Sequence, residues 1–270
     1  MTVTTPVTPR PRNPKVSFDD VPRYWFGGSA AATHMANGVN LLFPAGERFF
    51  IRSVRHYLDR IDDEALRAQV RGFFGQEGMH ANAHERFFDV MRAQGFDVDA
   101  MLRTYERVAF EWIEPRVSPE TRLAVTVALE HFTAIMAENA LSENVLDSAH
   151  PAMKALLLWH AAEEIEHKSV AFDVLRRVNP SYALRMKGMA LAAAGLAAFW
   201  TWSTLTLAAQ DGLLKDGRFS RSYRDMKRAH PDDPSVFARG IREYLRRDFH
   251  PADNDNFALA TNHLTAAGLA

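Results

Sequence analysis

The chain has no cysteine, which excludes disulfides, thiolate zinc sites and cysteine nucleophiles together. It also lacks charge bias, since 32 basic residues against 33 acidic ones leave a net charge of −1. No basic tract stands out, so the electrostatics give no reason to expect a nucleic-acid partner. A glycine-rich phosphate loop, a Gly-x-Ser-x-Gly elbow and a His-Glu-x-x-His protease motif are all missing. The first twenty residues hold Pro6, Pro9, Pro11 and Pro14 but no apolar core of a signal peptide, and they read as a mobile tail. Elsewhere Gly and Pro gather outside the long apolar-periodic segments, as in an all-α protein.

What the chain does have is a run of amphipathic segments with clear start and stop signals. Phe43-Pro44-Ala45-Gly46 opens a helix whose apolar positions Phe50, Ile51, Val54 and Leu58 continue from Glu47. Asp62 or Asp63 caps a second, running to about Gln94 and stopped by Gly95. Residues 97 to 114 read as an aromatic-bearing helix without a ligand set. Ser118-Pro119-Glu120 starts another, and a further helix is expected from about Ala152 to Val178, between His150-Pro151 and Asn179-Pro180. Residues 188 to 209 carry no charge and are long enough to span a bilayer, yet eight of them are Ala. That stretch suits a membrane-associated helix, a buried helix or a homodimer contact. An amphipathic helix is expected around Val236 to Phe249. The organisation expected is a tail (1–20), a di-metal helical bundle (21–180), hydrophobic and amphipathic C-terminal helices (181–250) and a loose tail (251–270).

The chemistry lies in four of these segments. His160-Ala-Ala-Glu163-Glu164-Ile-Glu166-His167 places His160, Glu164 and His167 at i, i+4 and i+7, one stripe of one helix. Glu77-Gly-Met-His80 repeats the Glu-x-x-His spacing, with His84 one turn further on. Glu47 and Glu130 sit on stripes that are otherwise apolar, where a solvated carboxylate is unexpected. Two Glu-x-x-His helices plus one Glu from each of two more make the inward-facing ligand set of a dinuclear carboxylate bundle. Four glutamates supply about the charge that two divalent ions need, and burying them without metal is costly. The expected ligands are Glu47, Glu77, His80, Glu130, His160, Glu164 and His167. His84, His131 and Glu163 are expected around them, orienting the ligands. Hard oxygen donors with imidazole suit two iron ions, with manganese as the alternative.

Phe43-Pro44-Ala45-Gly46-Glu47-Arg48-Phe49-Phe50, Gln76-Glu77-Gly78-Met79-His80 with His84, Glu130-His131, and His160 through His167 resemble the bacterial family of predicted metal-dependent hydrolases over roughly residues 20 to 215. The ligand order is also similar to that of ferritin-like di-iron N-oxygenases of the p-aminobenzoate N-oxygenase type. There a Glu, a Glu-x-x-His, a Glu and a His-x-x-x-Glu-x-x-His occur in the same sequence. The second resemblance implies a ferritin-like four-helix bundle with additional helices. It also implies His160 as a seventh ligand and an oxidoreductase that activates O₂ to oxidise a small, apolar or amine substrate with an electron donor. This is the reading the sequence favours. The alternative is a metal-dependent hydrolase that activates water at the same centre, and the third is a non-catalytic metal-binding bundle. A cytoplasmic protein, membrane-associated if residues 188–209 meet a bilayer, fits these readings.

Overall fold

A computed structural model describes residues 8–229 and 235–270. Its helices begin and end at the signals the sequence carries. Ser29 caps α1 (Ala30–Asn40) by accepting the Ala32 N–H, and α2 (Phe43–Arg55) has Pro44 in its first turn. Asp63 caps α3 (Glu64–Ala93) on the amides of Ala65 and Leu66, and Gly95 turns the chain away at φ +89°. α4 (Val98–Glu106) runs on into a π-helical segment, Arg107–Ile113, and Ser118 caps α5 (Pro119–Ser142). There follow α6 (Pro151–His167), α7 (Val170–Val178), α8 (Tyr182–Gln210), α9 (Arg218–Ala229), α10 (Ser235–Tyr244) and α11 (Phe257–Ala266). The chain is all-α, and an isolated bridge between Phe26 and Ala149 is the only β-type pairing among the described residues.

Four helices enclose the centre of the molecule. α2 packs on α3, α3 on α6, α6 on α5 and α5 back on α2, closing a ring. Along each, most apolar residues belong to one of two separate cores, and Ala45 of α2 joins a smaller third cluster with Leu42 and Tyr105. One gathers Phe87, Phe88, Met91, Met153, Leu156 and Trp159. The other gathers Phe50, Val54, Val70, Phe73, Leu123, Val127 and Val170. The ionisable motif residues lie between the two, so the ring has an apolar core at each end and a polar layer in the middle.

Three expectations need correction. The helix expected from Ala152 to Val178 is two helices, broken at Lys168 and Ser169. Neither Gly nor Pro marks the break; Lys168 turns away to bond the carbonyl of Asn254 and the side chain of Asn256, and α7 then packs on α5 and α3. Residues 8–20, expected to be mobile, form a strap across α3 and α6. Proline excludes helix there but not extended packing: Pro9 and Pro11 lie directly over Gly72 and Gly75, where a Cβ would collide with them. Phe18 reaches the core, while residues 1–7 lie outside the described residues. The segment 251–270, expected to be loose, contains α11, whose Ala260 and Leu264 pack on α6.

The uncharged stretch 188–209 lies within α8, the one helix among the described residues that is long and apolar enough to cross a membrane. Its most apolar window is only 22% buried, so within this chain it is not an enclosed core helix. Met189, Ala192, Ser203 and Leu207 face inward, whereas Leu191, Ala194, Ala198 and Leu205 face outward. Gly188 lets α8 cross close over α5, because a Cβ at that position would meet the Ala124 carbonyl. Gly188→Leu is therefore expected to cost about 1–3 kcal/mol, the usual range for overpacking. Gly195→Ala on the same helix, where a Cβ meets nothing within 4 Å, is expected to hold or raise the melting temperature. Thermal unfolding of the two variants checks both.

Candidate metal centre

The polar layer takes Glu47 from α2, Glu77, His80 and His84 from α3, Glu130 from α5, and His160, Glu163, Glu164 and His167 from α6. None of these side chains belongs to a residue more than 4% exposed. His167 Nε2 lies 3.1 Å from Glu77, 3.4 Å from Glu130 and 3.4 Å from Glu164. His80 Nδ1 is 3.5 Å from Glu164 Oε1, and His160 Nε2 is 2.9 Å from the same oxygen and 3.7 Å from Glu47. Donor atoms fall into overlapping triplets within 4.8 Å: Glu77, Glu164 and His167; Glu47, Glu77 and His80; His80, His160 and Glu164; Glu47, His84 and His160. The seven residues expected as ligands thus meet in one place.

The donor set fits a metal. Both oxygens of Glu47, Glu77 and Glu130, Oε2 of Glu164, Nδ1 of His80 and Nε2 of His167 are buried without a hydrogen-bond partner. Orphaned groups in such number are rare in a folded interior and expensive there. Cations would satisfy them at once, and an oxygen-rich set with imidazoles suits hard to borderline ions.

Each imidazole is held from behind. His167 Nδ1 is 2.9 Å from Gln76 Oε1, which as an acceptor leaves Nε2 facing the carboxylates. Gln76 donates in turn to Glu166 at 2.8 Å and to the Arg10 carbonyl at 3.1 Å. His80 Nε2 bonds Glu163 at 3.0 Å, leaving Nδ1 inward. Arg12 joins these supports, donating to Glu163 at 3.2 Å and Glu166 at 2.7 Å. A third chain runs from Asn40 Oδ1 through His84 to His160 Nδ1, the last step 2.7 Å, and directs His160 Nε2 inward. His84 is thereby a support for His160. His131, expected beside the ligands, faces away: its Nε2 bonds the Gly240 carbonyl of α10 at 2.8 Å, because one residue past Glu130 is a different helix face.

Electrostatics in this layer reflect crowding of like charge. Burial, with Glu77 and Glu164 beside it, holds the Glu47 carboxyl well above the usual carboxylate range, and burial and Glu77 do the same to Glu130. Burial pushes Glu77 up to about 7 against the pull of His167. Glu164 goes the other way: burial raises it, but His167 and His160 together outweigh burial and hold it well below that range. Burial opposes the charge on His167 as well, yet Glu164 and Glu130 keep it protonated well above the ordinary imidazole value. Burial and the neighbouring His160 drive His80 and His84 well below it. Without metal, Glu164 and His167 form the ion pair while Glu47 and Glu130 keep their protons.

The spacing alone carried some of the supports and missed others. Glu163 lies three residues after His160 and four before His167, near enough to the stripe to be suspected. Gln76, Asn40 and Arg12 carry no such signal, and Arg12 lies in the strap read as a tail. Among the aromatic residues near the cluster, Phe50 and Phe132 line a cavity that reaches Glu47, while Phe73 packs on His167 at 5.0 Å between ring centroids. Phe74 lies under Arg55 instead.

A family model described as predicted metal-dependent hydrolase matches residues 10–255, and the chain belongs to that family. No curated protein and no solved structure matches the chain. The family description corrects the favoured sequence reading. It is hydrolytic, and so it overturns an O₂-activating di-iron oxidoreductase in favour of the alternative. The physical reason is that ligand identity and order do not separate the two chemistries, since the same carboxylate and imidazole set can serve water or O₂.

Two outcomes follow. Arg12→Ala removes the clamp on Glu163 and Glu166, and is expected to weaken metal affinity by roughly 10–100-fold; titration of the chelated protein with metal measures it. Above pH 6.5, where unshifted imidazoles are neutral, the raised carboxyls and the raised His167 imidazole govern the metal-free protein, each binding a proton that the unfolded chain has lost. Glu77 at about 7 and Glu163 at about 8 bind protons that their unfolded forms, near 4.5, have lost. Stability is therefore expected to fall as pH rises from 6.5 to 8. Calorimetry in chelator is expected to record that fall, and added metal to remove it.

Proposed function

We propose that this member of the predicted metal-dependent hydrolase family hydrolyses its substrate at a dinuclear centre held by Glu47, Glu77, His80, Glu130, His160, Glu164 and His167. The observation that carries the reading is the set of buried, partnerless carboxylate and imidazole atoms converging between two apolar cores. Glu47, Glu77 and Glu164 each belong to two of the overlapping donor triplets, so the donor set extends over more than one position in the layer. Four carboxylates balance two divalent cations, and the oxygen-rich donor set favours iron or manganese. Bound there, such ions supply Lewis acidity and lower the pKa of water enough to make it a nucleophile at neutral pH.

The chain's own residues do the rest. Gln76, Glu163 and His84 fix the rings of His167, His80 and His160, so no ligand reorganises as charge develops. The Arg12 strap holds two of those three supports. A cavity of about 830 Å³ reaches His160 and Glu164, with Phe43, Met136, Leu157 and Trp200 among its walls. Its size suits a small-molecule substrate, and its apolar walls limit water to the polar end. Hydrolysis then joins the water oxygen to the electrophilic atom of the substrate, breaks the bond to the leaving group and returns a proton to that group.

The decisive experiment is hydrolysis of a panel of chromogenic esters, amides and phosphoesters by protein depleted of metal and reloaded with iron, manganese or zinc. Activity is expected only after reloading. Glu130→Ala and Glu164→Ala are expected to lower metal stoichiometry and to cost more than the roughly 10–100-fold of a residue that merely orients a ligand. Full stoichiometry in both variants would remove these residues from the centre, and a reloaded protein inert toward every substrate in the panel would count against the hydrolase.

A further inference from the structure

We infer that a second cavity, between α8 and the π-helical segment, binds a long unbranched apolar chain of the substrate; this rests on the hydrolase reading for the reaction but not for the binding. The cavity measures about 370 Å³ and reaches the metal centre at Glu47. It shares Val39, Phe43, Thr133 and Met136 with the larger cavity at His160 and Glu164. Phe43 is the partition, its ring 4.8 Å from that of His160 and 4.9 Å from that of His84. A molecule lying across Phe43 therefore meets the centre from both sides, with its middle at the carboxylates.

The chemistry of the walls selects the occupant. Between Glu47 at the inner end and the Glu114–Arg122 pair at the outer end, the lining is hydrocarbon and aromatic apart from Thr133 and the Tyr105 hydroxyl. Thr133 already donates to the Glu130 carbonyl, and the Tyr105 hydroxyl lies beside Gly46, next to Glu47. A polar group placed beyond reach of that hydroxyl would lose water without finding a partner, whereas each buried methylene gains about 0.8 kcal/mol. Width comes from small residues on α8, Ala192, Ala194 and Gly195, and the opposite wall is Ala109, Phe110 and Ile113. Those three lie on the π-helical segment, a local departure from α-helix that recurs at functional sites. At the mouth Ile113 and Leu191 are 41% and 45% exposed, so the apolar path continues to the surface. Such a lining fits an ester of a long-chain acyl group. Its hydrolysis breaks the acyl carbon–oxygen bond, bonds water oxygen to that carbon, leaves the acid and returns a proton to the alcohol oxygen.

The test uses the metal-loaded full-length protein with two readouts. One is binding of cis-parinaric acid, a fluorescent long-chain fatty acid. The other is kcat/KM across p-nitrophenyl esters from acetate to palmitate. Gly195→Trp and Ala109→Trp fill the cavity from opposite walls, so a folding defect in one leaves the other as the test. The wild type is expected to bind the probe and to favour long over short esters by at least about tenfold. Either variant, with metal content kept, is expected to weaken probe binding about tenfold and to move the optimum to shorter chains. Ester hydrolysis with no chain-length preference, unaltered in both variants, would overturn the apolar-chain site and leave the hydrolase standing. Probe binding that both variants weaken, with no ester cleaved, would support the site and count against ester hydrolysis. No probe binding and no chain-length preference would overturn it.

Discussion

Four carboxylates within 3.7 Å of three imidazoles, all withdrawn from water, are the condition to which the rest of this structure answers. Isolated ionised carboxyls in such a place carry a penalty that folding cannot absorb. Protonation of Glu47 and Glu130 and an ion pair between Glu164 and His167 relieve part of it in the metal-free chain. They do not supply partners for the orphaned oxygens. A polar layer of this composition is tolerable only if cations complete it, and two apolar cores on either side hold it against collapse. The cores stabilise the ring of helices; the layer decides what the ring is for.

Around that layer the chain spends buried polar groups in a consistent direction. Every outer bond ends on the ring nitrogen that faces away from the centre: Gln76 on His167, Glu163 on His80, His84 on His160. The inward nitrogen is thereby left as the donor. Two of the three supports lead to one arginine, Arg12, in the N-terminal strap. The strap is therefore coupled to ligand orientation although it contributes no ligand, and Gly72 and Gly75 are the places where α3 admits it.

The parts that were legible in the sequence share a cause. Helix starts at Asp63 and Ser118 rest on local side-chain caps, and ligand faces rest on helical periodicity; both are properties of a few consecutive residues. Glu47 and Glu130 stood out because a carboxylate on an apolar stripe conflicts with its surroundings. What was not legible depends on residues far apart. The strap is held by contacts more than sixty residues away, and proline richness, read as disorder, equally describes an extended segment with its carbonyls free to accept from Gln76. The break at Lys168–Ser169 is set by Asn254 and Asn256. Local composition contains none of these partners.

The ligand pattern was read too far as chemistry. A carboxylate–imidazole layer gathers donor atoms for a metal, but it is silent on what reaches them, since both water and O₂ use the same donors. The shape of the approach carries that information. One cavity meets the layer at His160 and Glu164, a second meets it at Glu47, and Phe43 stands between. A substrate that must present one cleavable bond to the centre while burying a long remainder has a use for both. The walls of the second cavity are mostly apolar, with Thr133 and the Tyr105 hydroxyl as the polar groups near Glu47. If a long apolar chain occupies the second cavity, chain-length specificity rests on α8 and the π-helical segment, elements outside the four-helix ring, and not on the residues of the polar layer.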